Sequence, residues 1–134
     1  MARIGPSAGT RAERVLRMML VRSRSRHALQ VKWGPGDRWC CDFKTHGVLV
    51  DVHGHHWHAR TSRMRQMSEF WREKLKKNRA RDRRKVRYAR ENGIAYAVIW
   101  EHELRPDGVF GGTNGHRLLK RWLKFEATKQ RRTI

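Results

Sequence analysis

Eight consecutive residues, Asp51-Val52-His53-Gly54-His55-His56-Trp57-His58, hold four of the chain's eight histidines and one carboxylate. They continue the apolar alternation of Val48-Leu49-Val50. Successive side chains of a strand point to opposite faces. Val48, Val50 and Val52 are therefore expected on one face, with Leu49, Asp51 and His53 on the other. A carboxylate and an imidazole then arrive side by side at the strand's end. Asp42, in the preceding run Trp39-Cys40-Cys41-Asp42-Phe43, can join them across the short turn Lys44-Thr45-His46-Gly47. Carboxylates suit a hard divalent ion, and imidazole suits the removal of a proton from water that such an ion acidifies.

A second acid stands out further on. Trp71, Leu75, Asn78, Asp82, Val86 and Ala89 recur at helical spacing. At 3.6 residues per turn, Asp82 falls within roughly 20° of both Trp71 and Ala89, so it belongs to the face that should pack inward. It either pairs with an arginine of its own helix or orients a histidine, fixing the tautomer and direction of the ring. Around it run Arg79, Arg81, Arg83, Arg84, Lys85 and Arg87, with few acids to offset them. That surface suits phosphates better than a solvated face laced with i,i+4 ion pairs.

Composition agrees. Lys and Arg number 32 against 12 Asp and Glu, a formal net charge of +20, which favours a polyanion and first of all nucleic acid. The plainer alternatives are a merely solvated basic surface or an RNA binder of ribosomal type. Hydrophobic residues make up 38% and include six tryptophans, enough for a real core. No apolar run approaches the roughly 20 residues that span a bilayer, and the first residues lack the apolar segment of a secretory signal. No membrane partner is expected. A cytoplasmic place follows, for a nucleoid-associated or phage-encoded protein. Cys40 and Cys41 are adjacent and would face opposite sides of a strand, so they read as buried small residues and not as a metal pair.

The elements that must position these residues read as follows. Thr10-Arg11-Ala12-Glu13 is a capping box opening a helix over 10–21. A short strand is expected at 29–31 and a turn at Gly34-Pro35-Gly36. Strands at 38–43 and 48–53 form a hairpin. A long helix over 68–91 ends at Asn92-Gly93, a left-handed cap. A strand at 94–100, a Gly- and Pro-containing loop and a last helix over 113–128 complete the chain, with 129–134 fraying. The 134 residues suit one domain whose core spans 29–105. The order α-β-β-β-α-β-α predicts an α/β fold, a small mixed sheet flanked by helices.

These residues resemble the very short patch repair (Vsr) endonuclease family and the related homing endonucleases of phages. The resemblance spans about residues 10–105. It is carried by Gly9-Thr10-Arg11-Ala12-Glu13-Arg14-Val15-Leu16, by Asp42, by His53-Gly54-His55-His56-Trp57-His58, and by Glu69-Phe70-Trp71-Arg72-Glu73-Lys74-Leu75 leading to Asn78-Arg79-Ala80-Arg81-Asp82-Arg83-Arg84. Ala97-Val98-Ile99-Trp100-Glu101-His102-Glu103-Leu104-Arg105 matches the family's last core strand.

The resemblance implies a restriction-endonuclease-like core and magnesium-dependent hydrolysis of a DNA phosphodiester. Asp42 would be the principal metal ligand, with the carbonyl of Val52 near the ion. His53 and His58 would surround the scissile phosphate, His58 activating water and Asp82 holding it. Glu13 would contribute from the first helix, although its capping role accounts for it as well. Trp57, Trp71, Arg79, Arg83, Arg84 and Arg87 would face DNA.

The departures are specific. The family's structural zinc site uses cysteines where this chain has His55 and His102, and the intervening cysteine is absent. Zinc is therefore expected only as a remnant, because two ligands fall short of a four-coordinate site. His56 replaces an aromatic residue beside Trp57, which weakens the expectation of mismatch recognition. Asp51 stands where the family is usually apolar and is either a second metal ligand or a solvent-facing strand residue. Two other readings stay open: a phage-type homing or branched-DNA endonuclease without a mismatch role, and a non-catalytic nucleic-acid-binding protein with a degenerate nuclease core.

Overall fold

A computed structural model describes the backbone of residues 10–54 and 69–133, with side chains for all of these except 130–133. The elements are α1 (Arg11–Arg22), β1 (His27–Trp33), β2 (Trp39–Thr45), β3 (Val48–His53), α2 (Glu69–Glu91), β4 (Tyr96–Trp100) and α3 (Gly115–Thr133). The strands form one mixed sheet in the order β1-β2-β3-β4. β1, β2 and β3 pair antiparallel, and β3 pairs with β4 in parallel, with α2 in the connection between them. This is the α/β class expected from sequence, a small restriction-endonuclease-like fold. No helix of the described residues is long and apolar enough to cross a membrane.

The sheet is covered on both faces. On one face Leu16 and Leu20 of α1 and Leu119 and Leu123 of α3 pack against Phe43, Val48, Val50 and Ile99. On the other, Ala89 of α2 meets Trp33, Cys41 and Leu49. The alternation along β3 therefore falls as expected, with Val48 and Val50 to one side and Leu49 to the other.

Three local signals act as read. Thr10 and Glu13 form the capping box: Glu13 N donates to Thr10 Oγ1 at 3.2 Å and Thr10 N to Glu13 Oε2 at 2.6 Å. The β2–β3 hairpin turns at His46 and Gly47, with φ of 54° and 77°, the two positive values that a tight two-residue hairpin requires. At the end of α2, Gly93 has φ 65°. Ile94 N donates to Ala89 O and Gly93 N to Arg90 O, which is the Schellman arrangement.

Other boundaries move. β1 is seven residues long and not three. β4 starts at Tyr96 because the amide of Ile94 is spent on the cap of α2. The strand ends at Trp100, as expected, and Glu101–Leu104 is a 3-10 turn in which Trp100 N donates to Glu103 Oε1 at 2.8 Å. α3 continues to Thr133, past the fraying expected from 129. Of the two cysteines, Cys41 is buried but Cys40 is exposed, so only one is a core residue.

The sheet is irregular at Asp42. Leu29 and Phe43 pack on the α1/α3 side, whereas Val31 and Cys41 pack on the α2 side. Residues two apart in a regular strand share a face, so both strands turn over between these positions. The turnover falls on Gln30, whose φ is 53°, and on Asp42 opposite it; the register runs Leu29↔Phe43 and then Val31↔Cys41.

Candidate active site

The β2–β3 ladder pairs Thr45↔Val48, Lys44↔Leu49 and Phe43↔Val50. Continued by one step, it would pair Asp42 with Asp51. There the strands part, and side chains stand in for the backbone. Asp42 N donates to Asp51 Oδ1 at 3.1 Å, and Val52 N donates to Asp42 Oδ2 at 2.8 Å. Each aspartate thus satisfies an amide that separation of the strands would leave without a partner.

Asp51 is 5% exposed, which rules out the reading of it as a solvent-facing residue. Its Oδ2 accepts from Tyr96 Oη at 2.6 Å and lies 3.5 Å from Lys85 Nζ. A buried carboxylate needs such partners to remain charged at tolerable cost. The phenol of Tyr96 is in turn held far above its usual range, by burial first and then by the Asp51 charge.

Asp42 is different. Burial pushes its carboxyl up to about 7; the Val52 amide opposes this, while Asp51 and Glu13 reinforce it. Glu13 is in side-chain hydrogen-bonding contact with Asp42, so the first turn of α1 delivers a carboxylate to β2 while also capping its own helix. Two carboxyl groups in contact favour a shared proton or a cation. Among the described residues no group of three or more His, Cys, Asp and Glu side chains closes around one point. Magnesium does not require one: it is commonly held by one or two carboxylates, with waters and substrate phosphate completing its shell. The pair Asp42–Glu13 fits that donor set.

The second half of the site is a cleft of about 520 Å³ between α2 and the ends of β3 and β4. His53 and Asp82 both line it, together with Arg79, Arg83, Arg87 and Arg90. His53 is 5% exposed, with the edge of its ring set against Trp100 at 5.3 Å and 87°. Asp82 is half-buried between the buried Leu75 and Ala89 of the expected inward stripe, whereas Trp71 and Val86 of the same stripe are exposed. Arg79, Arg83 and Arg87 follow one another at i,i+4 and form a single row along the cleft. Arg84 is exposed and is not part of its lining.

Trp71 is 39% exposed near the start of α2, beside the more exposed Phe70, with Lys74 Nζ 5.3 Å from its ring centre. His102 is half-buried in the 3-10 turn after β4. His55, Trp57 and His58 lie outside the described residues, and with them the zinc remnant and the proposed water-activating histidine.

Sequence reasoning misses Lys85 and Tyr96. It groups Lys85 with the phosphate-facing cations, but the side chain is 12% exposed and turned to Asp51. A signal is present: Lys85 lies four residues before the buried Ala89, on the same side of the helix. Tyr96 reads in sequence only as one of the alternating large residues of its strand.

The fold is that of a small restriction-endonuclease-like protein, and its candidate site is lined by carboxylates and rimmed by arginines. Comparison with known proteins agrees. The chain is 33% identical over 107 residues, 77% of its length and 78% of the relative's, to the type II nicking enzyme V.XorIIP of Xanthomonas oryzae pv. oryzae. The chain belongs to the family of that nicking enzyme. No protein-family model matches it.

Proposed function

We propose that this protein is a magnesium-dependent DNA endonuclease of the Vsr-like type that hydrolyses a phosphodiester of one strand. The observation that carries the reading is Asp42: a strand carboxyl at a break in the ladder, aligned by the Val52 amide, in contact with Glu13 and strained by burial. A protein that only binds DNA has no use for such a cost, and perturbed carboxyls cluster where chemistry occurs. The nicking enzyme to which the chain is similar supports the substrate class and the single-strand outcome.

Asp42 and Glu13 would hold the ion, with the carbonyl of Val52 nearby. Magnesium, when bound, supplies the charge that polarises the phosphate and acidifies water. Asp51 serves as an anchor: with Tyr96 and Lys85 on one oxygen and the Asp42 amide on the other, it fixes the strand that carries the ligand. His58 is the proposed proton acceptor, oriented by Asp82, while His53 faces the scissile phosphate from the cleft that Asp82 shares. The row Arg79, Arg83 and Arg87 holds flanking phosphates.

The test is conversion of supercoiled plasmid to open circles with and without magnesium, for the natural chain and for Asp42→Asn. Open circles formed only by the natural chain with magnesium support the proposal. Cleavage by Asp42→Asn at the natural rate, or none by either protein in any divalent metal, overturns it.

A further inference from the structure

A second basic surface lies away from the cleft just described. On the α1/α3 side of the sheet, between the C-terminal end of α1 and the exposed flank of α3, is a groove of about 460 Å³. Arg22, Arg24, Arg117, Lys120, Arg121 and Lys124 line it, and no carboxylate stands among its lining side chains. α2 packs on the opposite face, so the two basic surfaces belong to different sides of the molecule.

Part of this charge has an ordinary structural reason. A helix C-terminus attracts cations, and Lys120 Nζ donates to Ser23 O at 3.0 Å, which covers one free carbonyl of α1. The remainder does not. Among the described residues, Arg24, Arg117, Arg121 and Lys124 have no carboxylate within ion-pair distance. Arg117–Arg121 and Lys120–Lys124 are like-charge i,i+4 pairs, which weaken a helix.

Arg24 carries a further cost. α1 ends in the same motif as α2: Ser25 N donates to Leu20 O and Arg24 N to Val21 O. α2 places Gly93 at the left-handed position, whereas α1 places Arg24 there, at φ 56°. A side chain in that conformation is disfavoured where glycine is free. Such strain persists where something else requires the residue. The uncompensated field also reaches the hairpin turn, where His46 is held below its usual range by burial, then by Lys120 and Lys124.

The geometry points to this groove as a second site for backbone phosphates of DNA, outside the stretch held by α2, so that the protein grips DNA on two faces. It rests on DNA being the substrate. Two charged rows on one helix, each repeating every turn, suit successive phosphates of a strand better than a single small anion.

The test uses the full chain in EDTA, titrated with duplex DNA over a range of salt, against Arg24→Gly/Arg117→Gln/Arg121→Gln. The variant should melt at the same temperature or higher, since glycine relieves the left-handed position. Its slope of log affinity against log salt should fall by about two to three, at about 0.9 for each phosphate no longer neutralised. An unchanged slope in a folded variant overturns the proposal. Calorimetry with inorganic phosphate is the second arm: phosphate binding abolished in the variant while the DNA slope is kept would assign the groove to a free anion and overturn the DNA assignment. Absence of plasmid nicking by the natural chain, with the slope difference intact, would count against the enzyme reading and leave the groove standing.

Discussion

Lys85 Nζ stands 3.5 Å from Asp51 Oδ2, although 34 residues separate them, and both side chains are nearly closed to solvent. Among the many cations of α2, this one faces the sheet. Lys85→Met should therefore destabilise the fold by about 2 kcal/mol, the order of cost for a buried charge that loses one of its partners. Urea unfolding of the single variants and of Lys85→Met/Asp51→Asn closes a double-mutant cycle. Additive losses would remove the coupling.

Asp42 gives a metal prediction with a defined sign. Its carboxyl, pushed up to about 7 without metal, favours the proton-bound form in the fold. Magnesium must displace that proton, so its affinity should rise from about pH 6 to about pH 8, with proton release on binding. Calorimetry in buffers of different ionisation enthalpy measures the release. A magnesium affinity independent of pH over that window would exclude Asp42 as a ligand.

The arginine row should govern affinity for DNA. Arg83→Gln and Arg87→Gln should each flatten the salt slope by about 0.9, whereas Arg84→Gln, outside the cleft, should change it less. Equal effects at all three positions would mean that the cleft does not define the path of the backbone.

Asp82 and His58 are expected to act as a unit. Asp82→Asn and His58→Ala should each lower the nicking rate by about two orders of magnitude or more. The double variant should be little worse than either one. Fully additive losses in single-turnover rates would separate them.

His46 predicts the acid limb of stability. Its Nε2 lies 2.9 Å from Ser25 Oγ, and burial, Lys120 and Lys124 hold its folded pKa below the unfolded value. The neutral ring's contribution is then fully present above about 6.5, its ordinary value, and is lost as pH falls through the lower folded value. Thermal melts from about pH 7 to about pH 5 should show less acid-side loss in His46→Asn, which tolerates the left-handed turn. Parallel pH curves would exclude His46 as the source.

Much of this was legible in the sequence, and the reason is local. The alternation of β3, the capping box at Thr10 and Glu13, and the Asn92-Gly93 cap each depend on neighbours a few residues apart. The half-buried place of Asp82 follows from helical period, although the same period puts the exposed Trp71 and Val86 on its face. What stays hidden depends on distant partners. The overturn at Gln30 and Asp42 breaks the regular alternation that any strand reading assumes, and neither residue type announces it. Lys85 sits in a basic run, and only the arrival of Tyr96 and Asp51 distinguishes it from its neighbours. The extension of β1 to Trp33 likewise reflects pairing with β2, not a pattern of its own.

The parallel pairing of β3 with β4 sets the order in which the surroundings of Asp51 can come into being. Asp51 emerges from the ribosome long before Tyr96, 45 residues later, and before Lys85. Until both have appeared, Oδ2 of Asp51 lacks the two groups that allow it to be buried, and the strand end beside Asp42 has no floor. Non-local closure of this kind is slow compared with hairpin formation. A half-made chain can fold the β2–β3 hairpin and make its Asp42–Val52 and Asp51–Asp42 bonds, but it gains the Tyr96 and Lys85 partners that keep Asp51 buried only once translation has passed β4.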